Sequence, residues 1–242
     1  MRTLAVIASA IVALASSARA QARFEVDRTR IDLSEAGPTG ALTITNHGHE
    51  ALRLSLTAFA WRDDADGAMQ LAPTTDVVVR PGLVEIAPGS SRVVRVGTTL
   101  RAGSLEASYR VFAEELPDRR ALVPGTIAVR TRVGIPIFVA PRGSAGVGDL
   151  APTVAFEPGR AVVTVKPAGA LHVKLASVTV RALVGGKLRW HHEVNGWYVL
   201  PGQARRFAVE LGTDNCAGVD EVVAEVVGED GARWLGPPTP CR

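Results

Sequence analysis

The segment from Thr126 to Pro141 constrains the fold more than any other part of the sequence. Its odd-numbered positions from Ile127 to Val139 are all β-branched, whereas the even-numbered side carries arginines, Gly134 and Pro136. Because side chains alternate between the two faces of a strand, this pattern predicts a strand with one apolar face. Proline cannot donate a ladder hydrogen bond, so Pro136 indicates an edge strand. The edge is either covered by a loop or left open to pair with another chain.

The first twenty residues predict a secretory signal peptide. Arg2 supplies a positive charge, residues 4–15 are almost entirely apolar, and Ala18-Arg19-Ala20 matches an Ala-x-Ala cleavage site. Cleavage after Ala22 fits as well. The apolar run is too short to span a bilayer, so we expect an exported, soluble protein.

Composition indicates a well-packed protein without a nucleic-acid partner. The chain is 47% hydrophobic and 21% charged, which supports hydrophobic cores and argues against disorder. Its net charge is only +3, and its basic residues are scattered instead of forming a stripe that could follow a phosphate backbone.

Short alternating runs separated by Gly, Pro and Asn turns extend from Phe24 to the end of the chain, without helical periodicity. This spacing predicts an all-β protein with a first immunoglobulin-like β-sandwich in residues 21–141, including a strand at 126–139. The small residues of 142–148 predict a linker. Residues 149–242 repeat the all-β pattern and predict a second, smaller sandwich.

Three glycine-containing dipeptides in the second half predict tight hairpin turns. They are Gly185-Gly186, Asn195-Gly196 and Asp230-Gly231. Asn-Gly is the strongest of these signals, because type I′ turns need positive φ at both central positions.

Cys216 and Cys241 are the two cysteines of the chain. In an exported protein a lone pair usually forms a disulfide, and this one would hold the Pro-rich tail. The sequence lacks a Cys-x-x-Cys motif, so a redox role is not expected.

No residue pattern indicates catalysis or a cofactor. The sequence has no Gly-x-Ser-x-Gly elbow and no paired-carboxylate or Ser/His arrangement. His191 and His192, with the His47-Gly48-His49 turn, are the candidate metal ligands, but no neighbouring acid or cysteine spacing supports them. We therefore predict no enzyme activity, no cofactor, no metal and no small-molecule substrate.

The class of function that remains is recognition of another protein, since an exported pair of sandwiches with an apolar edge is suited to strand addition. The segments Phe24 to Arg30, Leu42 to Asn46, Leu83 to Val96, Tyr109 to Pro117 and Ile135 to Pro141 together resemble the PapD-like periplasmic chaperones of chaperone–usher pilus assembly. The last segment resembles the archaic or alternative branch of that family. The second half resembles the family only as a sandwich with a late cysteine pair.

The resemblance implies two sandwiches set at an angle, a periplasmic location, and pilin subunits and an outer-membrane usher as partners. It also implies donor-strand complementation, in which the chaperone lends a strand to an incomplete subunit. The donor residues would be Ile127, Val129, Thr131 and Val133. The sequence leaves open whether the free chaperone caps this edge by self-association.

The resemblance further implies cations that anchor the C-terminal carboxylate of the subunit. Arg30 matches an arginine of the first strand of well-known members, whereas their donor-strand lysine falls on Pro136 here. In the archaic branch the arginine of the Tyr-Arg-x-Phe strand is the anchor, which points to Arg110, with Arg132 assisting. Arginine suits this role because its planar fork matches a carboxylate.

Two other functions fit parts of the sequence. One is an exported immunoglobulin-like surface module, such as an adhesin or a pilus component, although no N-terminal donor extension precedes Phe24. The other is a periplasmic metal-handling protein that uses His191 and His192.

Overall fold

The computed structural model describes residues 24–64, 66–117, 130–143, 145–212 and 216–241. The predicted signal peptide lies outside the described residues, as do Ile127 and Val129. Within the described ranges the chain forms nineteen β-strands and no helix, so the prediction of an all-β fold is confirmed. None of these residues belongs to a helix long and apolar enough to cross a membrane.

The first sandwich is built from ten strands. They are β1 (Phe24–Val26), β2 (Ile31–Leu33), β3 (Thr39–Asn46), β4 (Leu52–Asp63), β5 (Met69–Pro73), β6 (Val77–Arg80), β7 (Leu83–Ile86), β8 (Ser91–Thr98), β9 (Ala107–Glu115) and β10 (Arg132–Val139). One sheet has the order β1-β3-β8-β6, and the other has the order β2-β10-β9-β4-β5 with β7 also paired to β4.

The core of this sandwich lies between the two sheets and follows the two-residue period of its strands. Leu42 and Val94 from the first sheet meet Val111, Ile135 and Ile137 from the second, and all are almost fully buried. Alternate residues of β9 and β10 point away from this core. That outer face of the second sheet carries the candidate site.

The second sandwich contains the remaining nine strands. They are β11 (Thr153–Glu157), β12 (Arg160–Val165), β13 (Val173–Val184), β14 (Lys187–Asn195), β15 (Tyr198–Val199), β16 (Arg205–Glu210), β17 (Glu221–Gly228), β18 (Arg233–Leu235) and β19 (Thr239–Pro240). A sheet of order β11-β12-β16 faces one of order β14-β13-β17-β18, in which β15 pairs with β13 and β19 with β17. A separate valine-rich core fills this sandwich.

Two of the three predicted hairpin turns are present. Gly185 and Gly186 connect β13 to β14 with φ of 55° and 74°, and Gly231 lies between β17 and β18 with φ of 83°. The prediction of an Asn195-Gly196 hairpin is wrong. The strands on either side of this dipeptide, β14 and β15, both pair with β13, one after the other along its length, and so do not form a hairpin with each other. Glycine is needed at 196 for a different reason, since a Cβ there would lie 2.2 Å from the Leu175 carbonyl oxygen.

A disulfide joins Cys216 to Cys241, as the sequence predicted. It holds the C-terminal tail, in which β19 pairs with the start of β17. Closing a loop of this size stabilises the folded state by about 3 kcal/mol through the entropy of the unfolded chain.

Candidate functional site

The edge of β10 is open along the half that leads toward the predicted donor residues. In the β9–β10 ladder the Glu115 N–H donates to the Thr131 carbonyl, so odd-numbered residues of β10 bond to β9. The backbone groups of even-numbered residues therefore face the other side. There β2 covers only Ile137 to Val139 in a parallel pairing, and the Ala140 N–H donates to the Leu33 carbonyl. Arg132, Gly134 and Pro136 face an edge that no described strand covers.

This register explains why a proline fits within β10. Pro136 has no N–H, and its position directs that missing donor toward the open edge, where no ladder bond to β9 is lost. The prediction of an edge strand is correct for the described residues up to Pro136. Beyond it, β2 makes β10 an inner strand, and both faces of Phe138 and its neighbours are buried.

The predicted donor residues continue the apolar face of β10 in the direction of its N-terminus. Val133 packs against the core of the first sandwich, and Thr131 is half-buried beside Glu115. Ile127 and Val129 lie outside the described residues, so their placement stays a prediction.

Arg110 lies directly across from Pro136, on the outer face of the second sheet. Only 7% of this residue is exposed, and its Nε is buried without a hydrogen-bond partner. The guanidinium carbon lies 4.2 Å from the centre of the Trp61 ring and 5.5 Å from that of Trp197. Burial lowers the pKa of Arg110, while the charges of Tyr198 and Asp63 oppose this shift. The guanidinium is therefore flanked by two indoles and lacks a bonded carboxylate among the described residues.

A missing side chain on β10 leaves room for the ring of Phe112 beside Arg110. A Cβ on Gly134 would lie 2.8 Å from Cε1 of Phe112 and 3.4 Å from Nη1 of Arg110. The adjacent ring of Phe59 meets Phe112 edge-on with centroids 5.9 Å apart. Phe59 and Phe112 thus form an aromatic wall on the outer face of the sheet, next to the Arg110 guanidinium.

The structure brings Arg30 and Arg110 to the same level of the sheet. Ile31 pairs with Ile137, so the residue before it, Arg30, is level with Pro136 on the open side. Arg30 is exposed and forms a surface ion pair with Asp32 at 3.0 Å. Such a pair contributes little, so Arg30 can turn to another carboxylate at low cost.

Arg132 does not join the other two arginines. Arg132 is four positions before Pro136 in the strand, which corresponds to a distance of about 13 Å. It forms an ion pair with Glu114 at 3.5 Å, and its guanidinium carbon lies 3.9 Å from the centre of the Phe112 ring. Its side chain is 48% exposed and lies over the Phe112 ring, so its predicted role beside Arg110 stays a prediction.

The second sandwich closes the site from the other side through a small interdomain core. Trp61 and Phe138 of the first sandwich pack with Tyr198 and Leu200 of the second, and all four are buried. His172 stacks on Phe138 with ring centroids 3.6 Å apart.

Two largely buried side-chain contacts, one of them an Arg–Asp ion pair, border this core. His172 Nδ1 lies 2.6 Å from Oε1 of Glu106. The Arg205 guanidinium donates to Oδ2 of Asp63 at 3.1 Å, and the Asp63 side chain is 0% exposed. These contacts fix the Trp61 strand against the second sandwich.

Sequence reasoning missed the aromatic residues that surround Arg110. Trp61, Trp197 and Tyr198 carry no motif, and a tryptophan after an Asn-Gly pair suggests a hairpin more than a site. The adjacent Trp-Tyr pair in an otherwise aromatic-poor chain was the available signal.

A metal centre has no support among the described residues, since no cluster of three or more His, Cys, Asp or Glu side chains occurs there. His47 contacts Glu25 on the surface of the first sandwich, and the His192 ring lies 5.4 Å from that of Trp190.

Comparisons with known proteins show the family and the fold of the chain. The model of a family described as pili and flagellar-assembly chaperones, PapD N-terminal domain, matches residues 23–145. A comparison with proteins of curated function found no match.

Among solved structures, the fold is similar to the CsuC–CsuE chaperone–adhesion subunit complex from archaic Csu pili of Acinetobacter baumannii. That likeness has a TM-score of 0.64 and 17% identity over 88% of this chain and 97% of that chain. The CupB2 chaperone of Pseudomonas aeruginosa has a TM-score of 0.55 and 18% identity over 90% and 100% of the two chains. The Salmonella enterica SafA pilin–SafB chaperone complex has a TM-score of 0.53 and 16% identity over 90% of this chain and 95% of that chain. At these identities the likeness shows a shared fold.

Proposed function

Because this chain belongs to the family of pili and flagellar-assembly chaperones with a PapD N-terminal domain, we propose that it holds pilin subunits by donor-strand complementation. In this proposal the open edge of β10 pairs with the last strand of the subunit. Arg110, with Arg30 beside it, binds the terminal carboxylate.

The observation that carries the proposal is the coincidence of the open edge with an unpaired buried cation. The free edge ends level with Pro136, where Arg110 approaches from β9 and Arg30 from the start of β2. A strand that ends with its carboxylate at this level must run parallel to β10. The parallel pairing of β2 further along the same edge supports that direction.

The electrostatics favour a carboxylate at Arg110. A buried guanidinium with an unsatisfied Nε carries a desolvation cost that a carboxylate can offset. Charge-assisted bonds from arginine to a carboxylate are among the stronger hydrogen bonds in proteins. The flanking indoles restrict the guanidinium, so little side-chain entropy remains to be lost on binding.

The face of the donor strand that carries its odd-numbered residues then determines the register of the bound subunit and the affinity for it. Ile127, Val129, Thr131 and Val133 would insert into the groove of the subunit at every second position. Each aliphatic side chain that is buried contributes about 1.5–3 kcal/mol of transfer free energy.

The remaining parts of the proposal follow the family. The chain acts in the periplasm after removal of residues 1–20, catalyses no reaction, and passes its subunit to an outer-membrane usher. We propose sandwich domains at 21–141 and 149–242 with a linker at 142–148. The membership in a chaperone family favours this role over an exported surface module.

The test is periplasmic co-expression with a pilin subunit from the same gene cluster, followed by purification of the chaperone. We expect a one-to-one complex with the wild type and at least a ten-fold lower yield with Arg110→Ala. Arg95→Ala is the matched control, because Arg95 also lies on a strand of the first sandwich but on the opposite sheet. Equal complex yields for both variants would reject the anchor.

A further inference from the structure

We infer that Trp197 is a specificity-determining residue that selects a large apolar side chain at the end of the bound polypeptide. This inference rests on the proposed function, since it concerns the residue attached to the carboxylate at Arg110. The inference assigns a recognition role to the second sandwich domain.

Trp197 is the exposed member of the aromatic group around Arg110. Trp61 and Tyr198 are buried, whereas 40% of Trp197 is exposed. Its ring lies 5.5 Å from the Arg110 guanidinium carbon and edge-on to Tyr198 at 6.0 Å. A ligand that reaches the guanidinium must therefore pass within contact distance of this indole.

The backbone holds Trp197 in a fixed position. The Leu175 N–H donates to the Trp197 carbonyl at 3.0 Å, and the Gly196 N–H donates to the Ala176 carbonyl at 2.9 Å. Gly196 packs so closely on Leu175 that no side chain fits there. A tryptophan kept exposed on a rigid turn resembles the preorganised anchors of binding interfaces, where Trp and Arg are enriched.

The charges nearby favour a neutral terminal side chain. Arg205 is paired with Asp63, Lys174 with Glu229 and Arg30 with Asp32. The Asp63 side chain is 0% exposed, so it cannot accept a basic side chain of the ligand, and Arg110 would repel one.

Trp197 supplies an exposed apolar surface beside Arg110, whereas Phe112 is 9% exposed and lies under the Arg132 guanidinium. An aromatic or large aliphatic side chain would cover the indole, whereas a terminal glycine would leave it exposed.

The test uses the full chain and four synthetic peptides, acetyl-Thr-Val-Thr-Val-X, in which X is Phe or Gly and the terminus is a free acid or an amide. Isothermal titration calorimetry gives each affinity for the wild type, Trp197→Ala and Trp197→Phe. Leu188→Ala is the matched control, because it removes an exposed apolar side chain from β14 of the same domain.

For the wild type we expect the Phe acid to bind roughly three- to ten-fold more tightly than the Gly acid, the range of one aromatic contact. Trp197→Ala should bring this ratio close to one, Trp197→Phe should keep part of it, and Leu188→Ala should leave it unchanged. An unchanged ratio in Trp197→Ala, or no binding of any peptide at millimolar concentration, would overturn the inference.

The amide peptides separate this inference from the proposed function. If acid and amide bind equally while Trp197→Ala still removes the preference for Phe, the carboxylate anchor fails and the role of Trp197 stands. If the acid is preferred but Phe and Gly bind alike, the anchor stands and the inference fails.

Discussion

Among single residues, Gly134 shapes the candidate site through the side chain that it lacks. It is a strand glycine without positive φ, so conformational freedom does not explain it. The explanation is space, because the ring of Phe112 lies 2.8 Å from the position that a Cβ would take, with the guanidinium of Arg110 next to it at 3.4 Å. The packing of Phe112 beside Arg110 therefore depends on a glycine of β10.

Gly134→Ala should destabilise the first sandwich by about 1–3 kcal/mol, the usual cost of overpacking. The added Cβ would meet Cε1 of Phe112 at 2.8 Å. Gly97→Ala is the matched control, since its Cβ would meet Cγ2 of Thr39 at an ordinary 3.5 Å. Urea unfolding should show the loss in Gly134→Ala only. Equal midpoints for the two variants would contradict the account.

At this scale the sequence predicted Arg110, Arg30 and Arg132 as a carboxylate anchor, and that role stays a prediction. The register places Arg110 and Arg30 level with Pro136. Arg132 begins β10, four positions before Pro136. The sequence did not indicate Trp61 or Trp197, because the packing of two distant segments around one guanidinium leaves no local pattern.

Among the elements, β10 has two different environments along its length. From Ile137 to Val139 it lies between β9 and β2 and is buried on both faces. Up to Pro136 it has one neighbour in the described structure and a half-buried Val133. The alternation of the sequence predicted the strand and its apolar face, but only the register shows where the edge is free.

Val133→Asp should abolish recovery of a co-expressed pilin subunit, because its charge would lie where the core of the first sandwich continues into the apolar groove of the subunit. Val93→Asp is the matched control, since Val93 is a strand valine of the other sheet with 52% of its surface exposed. Far-ultraviolet circular dichroism checks that both variants fold. Subunit recovery with Val133→Asp at the wild-type level would contradict the assignment of the donor face.

For the whole molecule, the contacts between the two sandwiches hold the second sandwich beside the candidate site. Trp61, Phe138, Tyr198 and Leu200 form the shared core, and Asp63 with Arg205 borders it. Burial raises the pKa of Asp63, opposed by the charge of Arg205 and the hydrogen bond from Trp61. None of these long-range pairs could be read from the sequence, because partners such as Asp63 and Arg205 are far apart along the chain.

A carboxyl group with a raised pKa in the folded state contributes stability that is present below its ordinary value of 3.8 and is lost as the pH rises. Asn does not titrate, so Asp63→Asn should cost more stability at pH 3.5 than at pH 7. Asp66→Asn is the control, because Asp66 also pairs with a second-domain arginine, Arg206, but is exposed. Urea unfolding at both pH values measures the costs. A cost of Asp63→Asn that grows with pH would mean that Arg205 dominates and lowers the pKa.

The most direct test of the central claim is amide hydrogen exchange of Arg132 and Gly134, measured by NMR in the free chain and in its complex with a pilin subunit. Their N–H groups face the open edge, whereas those of Val133 and Ile135 face β9. We predict fast exchange of Arg132 and Gly134 in the free chain, strong protection in the complex, and protection of Val133 and Ile135 in both states. Unchanged exchange of Arg132 and Gly134 in the complex would contradict strand addition at β10.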